Sequence, residues 1–101
     1  MQIIKLLSEQ IAEELDDAEH YANLANVWKD RAPEAAAVFI QLSREEMQHQ
    51  QKLHDAAVQQ INKAKAAGRV PTPEMQGVYD YLHERNVDHA ARVVAIQKLF
   101  G

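Results

Sequence analysis

The chain carries only three glycines and three prolines, and apart from Gly77 and the terminal Gly101 they fall in two short stretches, Asp30 to Pro33 and Gly68 to Pro73. Glycine and proline are the residues that most disfavour a continuing helix, so this spacing leaves three long uninterrupted segments. They are expected to be helices over about 2–29, 33–67 and 73–100 of a single domain, 1–101. Pro33 suits a first helical position, where its missing amide hydrogen costs nothing, and Gly68 suits a C-terminal stop. Thr72, Pro73 and Glu74 give the third helix an N-cap, a first-turn proline and a first-turn carboxylate. At ~1.5 Å per residue the second helix would span about 52 Å, and a rod of that length needs neighbours along it.

Hydrophobic residues make up 47% and charged residues 26% of the chain, the balance of a folding protein, but its 101 residues bury a limited core, so self-association is expected. Eleven basic against fifteen acidic side chains give a formal charge of −4 with no basic stripe. That argues against a nucleic acid or an anionic membrane surface as partner and favours cations. The absence of cysteine removes disulfides, thiolate nucleophiles and thiolate metal sites together. Any metal must be held by carboxylate and imidazole. The apolar start, Met1 to Leu7, is too short and too soon followed by Glu9, Glu13 and Glu14 to read as a signal peptide or membrane span, and a cytoplasmic location is expected.

Seven-residue spacing in the first two segments isolates the chemistry. In the first, Ile4, Ile11, Ala18 and Ala25 form one row and Leu7, Glu14, Tyr21 and Trp28 the adjacent one. In the second, the rows are Phe39, Glu46, Leu53 and Leu42, His49, Ala56. The middle positions are ionisable where their neighbours are apolar. An antiparallel hairpin turning near residues 30–32 puts Glu14, 16 residues before Asp30, level with Glu46, 16 residues after it. Two carboxylates in an apolar interior repel and lose hydration, which a bound cation offsets. No lysine or arginine occupies these rows, and Arg44 points off the face. With His49 one turn from Glu46, the donors favour iron, manganese or zinc over calcium or magnesium. The competing reading puts all three side chains at a solvated stripe edge with their stems packed.

These residues resemble the ferritin-like superfamily, which includes ferritins, bacterioferritins and rubrerythrins. Glu14 followed by Tyr21 is similar to the ligating Glu and the Tyr of that family's first helix, and Glu46-Met47-Gln48-His49 with Leu53 to its E-x-x-H-x-x-x-L. Glu13-Glu14-Leu15, His20-Tyr21 and Glu45-Glu46-Met47-Gln48-His49 most resemble the small encapsulated ferritins over roughly residues 9–55. His20 stands where those proteins have tryptophan, the third helix is longer than their C-terminal segment, and Gln97 to Gly101 shows no cargo-loading tail, so residence in an encapsulin shell is not expected. The resemblance implies an all-α, ferritin-like four-helix bundle completed by dimerisation, with Glu14, Glu46 and His49 as metal ligands. It implies two irons per dimer (manganese or zinc as alternatives), with Fe(II) oxidised by dioxygen or peroxide, a ferroxidase reaction. Tyr21 would orient a ligand or act as an electron sink. The alternatives are a non-catalytic divalent-metal-binding homo-oligomer and a metal-free helical adaptor.

Among the remaining ionisable residues, His89 lies in register with Leu82 and Ile96 and reads as a packed histidine, while Glu84 and Asp88 read as a solvated face, with Glu84 a secondary candidate ligand. His54 is expected to meet the third helix through a hydrogen bond. His20, one turn from Asp16 and Asp17 and near Glu13, belongs to an acidic cluster that would guide cations or simply be solvated. His83 has no evident partner in the pattern.

Overall fold

The computed structural model describes residues 2–101 as three α-helices: α1 (Gln2–Trp28), α2 (Pro33–Ala66) and α3 (Pro73–Phe100). Met1, which opens the apolar N-terminal stretch, lies outside the described residues. Each helix ends within a residue of its expected limit, for local reasons. Gly68 takes φ +73°, the left-handed region open to glycine, and lets the Arg69 amide donate to the Ala64 carbonyl and the Gly68 amide to that of Lys65. This pattern satisfies carbonyls that the end of α2 would leave bare. At the start of α3, the Thr72 hydroxyl accepts from the Met75 amide at 3.2 Å, with Pro73 in the first turn.

α1 and α2 form the antiparallel hairpin. Their buried positions are mostly small: Ala18, Ala22 and Ala25 on α1, and Ala36, Ser43, Ala57 and Ala64 on α2. Small side chains bring the backbones close, and the buried Ser43 hydroxyl donates to the Ala18 carbonyl at 2.6 Å. Leu15 is the largest fully buried side chain, about 1.5–3 kcal/mol of transfer free energy.

α3 runs parallel to α1 and leans on it rather than on α2. The Asn86 amide donates to the Ser8 carbonyl at 3.2 Å, the Asn26 amide to that of Ile96 at 3.0 Å, and Lys29 to that of Leu99 at 3.3 Å. The seam of α3, with Tyr79, Asn86 and Val93 buried, follows the seven-residue period seen in α1 and α2. α3 approaches α2 at few points. One is the Gln97 amide, which donates to Ser43 Oγ at 2.9 Å. Elsewhere the two helices stand apart as the walls of a groove of about 600 Å³ floored by Ile4, Ser8 and Ile11 of α1.

One chain therefore supplies three helices and, among the described residues, no strand. The molecule is a rod of 56 × 19 × 18 Å. No helix among the described residues is long and apolar enough to cross a membrane.

Candidate metal centre

Glu14 and Glu46 come from the mid-portions of α1 and α2, and the hairpin brings them to one height as their equal distance from the turn requires. His49 Nδ1 lies 3.6 Å from Glu14 Oε2 and 3.6 Å from Glu46 Oε2. One ligand atom from each residue falls within 4.8 Å of the other two, the only such three-donor group among the described residues. Glu14 Oε2 is buried and accepts no hydrogen bond. The His49 imidazole is the group that approaches it, and among the described residues no lysine or arginine forms an ion pair with either carboxylate. Arg44 is exposed.

A buried carboxylate oxygen without a partner calls for an ion or water to satisfy it. The spacing fits an ion: two donor atoms each about 2.1 Å from a first-row divalent metal such as zinc, at tetrahedral to trigonal angles, stand about 3.4–3.6 Å apart. The donor set fits as well, since two carboxylates balance one divalent charge and the imidazole adds a neutral nitrogen. The side chains of Glu14 and Glu46 are 26% and 19% exposed while that of His49 is 52% exposed, so the group is open on the imidazole side.

Tyr21, expected beside the site, stacks on Phe39 with ring centroids 6.4 Å apart, and the His20 ring lies 5.9 Å from it. Its hydroxyl does not bond to Glu14 or Glu46. Glu45, next to Glu46 in sequence, instead accepts from the Gln41 amide at 3.2 Å.

α3 stays away from this group. Glu14 and Tyr21 stand about 140° around α1 from Glu19 and Asn26, the residues that meet α3. Glu84, the secondary candidate ligand, is exposed on α3 and takes no part. His89 is packed as the periodicity implied, with its side chain 13% exposed, but it also has acidic partners on α1: Glu19 Oε1 at 3.2 Å and Asp16 Oδ1 at 3.8 Å. Arg92 Nε donates to the same Glu19 oxygen at 2.6 Å. The Arg92 hydrogen bond, assisted by the charges of Arg92 and His89 and opposed by partial burial, holds the Glu19 carboxyl below its ordinary value of 4.5.

Two histidines were misread from the pattern. His54 meets α3 through a ring contact rather than the expected hydrogen bond, and its partner is His83, with centroids 5.8 Å apart and planes at 25°. The signal was present. His54 lies 14 residues before Gly68 and His83 lies 14 after Arg69, the same equidistance about a turn that pairs Glu14 with Glu46.

A family model described as rubrerythrin matches residues 5–92 of the chain. The match takes in nearly all of α1, the whole of α2 and most of α3, well beyond the 9–55 stretch that carried the resemblance. No curated protein and no solved structure matches.

Proposed function

Because the chain belongs to the rubrerythrin family, a ferritin-like di-iron group, we propose that it binds ferrous iron at a two-metal carboxylate site shared between two copies and oxidises it. The observation carrying this reading is the convergence of Glu14, Glu46 and His49 around an unpartnered buried carboxylate oxygen. A ferritin-like di-iron bundle takes one Glu from each of two helices and a Glu-x-x-His from each of two others. This chain offers half of that set. α3 adds no second motif, since Glu84 is followed three residues on by Val87 and His89 is preceded by Asn86.

A second copy set against the Glu14 face supplies the other half through a two-fold axis, and four carboxylates then balance two divalent ions. Support comes from where α3 sits, since it leaves that face uncovered. Ile3, Trp28 and Val38 remain 41%, 38% and 54% exposed there, beside half-buried Phe39, Leu42 and Leu53. Fe(II) is the substrate. The glutamates hold it through hard oxygen donors that also accommodate Fe(III), His49 completes the set from the open side, and the bound pair supplies the electrons that reduce dioxygen or peroxide. The apolar Phe39 and Leu53 flank Glu46 along α2.

The test is an anaerobic Fe(II) titration followed by admission of air, with near-ultraviolet absorbance recorded throughout. Saturable binding at one Fe(II) per chain followed by a fast absorbance rise, both lost in Glu46→Ala, is the expected result. Binding without oxidation would reduce the protein to a non-catalytic metal-binding oligomer, and no saturable binding would remove the site.

A further inference from the structure

We propose that His54 of α2 and His83 of α3 form a second metal site, distinct from the carboxylate group, for an imidazole-preferring divalent ion such as Cu(II), Zn(II) or Ni(II). The two rings meet across the groove from opposite walls, 5.8 Å apart at their centroids and with planes at 25°. Their one ring contact is with each other, and among the described residues their four ring nitrogens make no hydrogen bond.

The separation suits a shared ion. With nitrogen about 2.0–2.1 Å from the metal, a ring centroid lies about 3.2 Å from it, so two imidazoles on one ion have centroids about 5–6.4 Å apart for angles from tetrahedral to linear. Offset stacking of the rings alone also covers this range, and the experiment separates the two. Beside the rings, the groove carries Gln50, Gln51 and Asp80. Asp80 lies one turn before His83, and its Oδ1 accepts from the Gln76 amide at 2.9 Å. It does not converge with the two rings as Glu14 does with Glu46 and His49, so the site is a two-imidazole one completed by water.

Its chemistry and position set it apart from the iron site. Two nitrogens with at most one carboxylate favour copper, nickel and zinc over ferrous iron, both by donor type and by the general order of affinities. His54 follows His49 by five residues, about 140° further round α2, so the two groups open on different faces. An ion held here would staple α2 to α3 across the groove, where the helices otherwise barely meet. It binds the folded chain, where the two rings are held together, more tightly than the unfolded one, and so raises stability.

The experiment uses the full chain with the carboxylate site silenced by Glu46→Ala and His49→Ala. Cu(II) titrated into that protein is expected to bind at one per chain, with an electron paramagnetic resonance spectrum showing two equatorial nitrogens. Zn(II) is expected to raise its Tm. Adding His83→Ala, at an exposed position that tolerates change, or His54→Asn should remove both effects and weaken Cu(II) by more than the roughly 10–100-fold loss of a merely orienting neighbour. Circular dichroism verifies that each variant keeps its helices. Copper bound equally well without either histidine, a one-nitrogen spectrum, or no stoichiometric copper in the parent would each leave only a pair of stacked rings and overturn the proposal.

Discussion

Glu14 and Glu46 occupy positions where leucine would pack, and their side chains are about a quarter exposed or less. Without an ion the pair is a liability, because close carboxylates repel and lose hydration together. Glu46→Ala and His49→Ala are each expected to abolish stoichiometric Fe(II) or Co(II) binding in anaerobic calorimetry while helix content is kept. The apo form of Glu46→Ala should be as stable as the parent or more so, since a desolvated charge has been removed. These residues were readable from the chain because an ionisable side chain inside an apolar row is a visible anomaly. Glu19 was not, because its partners Arg92 and His89 lie some 70 residues away and only the docking of α3 brings them together. Its carboxyl is held below 4.5 in the folded state, so the unfolded chain binds the proton more readily. The associated stability is therefore present above pH 4.5 and lost as pH falls through the lower folded value. Glu19→Gln should destabilise by about 0.2–1 kcal/mol at pH 7, and the gap from the parent should close in urea melts run well below pH 4.

At the scale of the helices, the first two elements and their register follow from the breakers and from distance to the turn. The packing of α3 does not, because the six residues between α2 and α3 allow it to lie along either neighbour. The choice is made by amides that meet carbonyls across the α1–α3 seam, Asn86 of α3 at Ser8 of α1 and Asn26 of α1 at Ile96 of α3, while Gln97 reaches Ser43 of α2. None of these pairings has a period that a sequence reveals. Ser43 sits at the junction of all three helices, and Ser43→Ala removes two hydrogen bonds there at once. A loss of about 1–2 kcal/mol in chemical denaturation is expected, with metal affinity unchanged. His89→Ala likewise should lower stability and leave Fe(II) stoichiometry intact. A fall in stoichiometry would bring α3 into the metal site, contrary to its position on the far side of α1.

Over the whole molecule, the radius of gyration is 16.3 Å, against about 13 Å for a compact domain of similar length. So slender a rod leaves much of each helix at the surface, and pairing through the Glu14 face would bury apolar side chains and complete the metal set in one step. Light scattering with metal analysis on one sample should give at least a dimer with two metals per two chains, loosening on dilution once metal is removed. A monomer holding both metals would refute the shared site. The position of the ligands along the rod has a consequence for how metal leaves. Helices fray from their ends, and Glu14 and Glu46 lie at least twelve residues from any terminus of α1 or α2. Amide hydrogens around 11–18 and 43–50 should therefore exchange slowest, opening only with the whole fold. An ion held at the waist of the rod would then leave through the open His49 side, or on the parting of two copies if the site is shared, and not through fraying of helix ends.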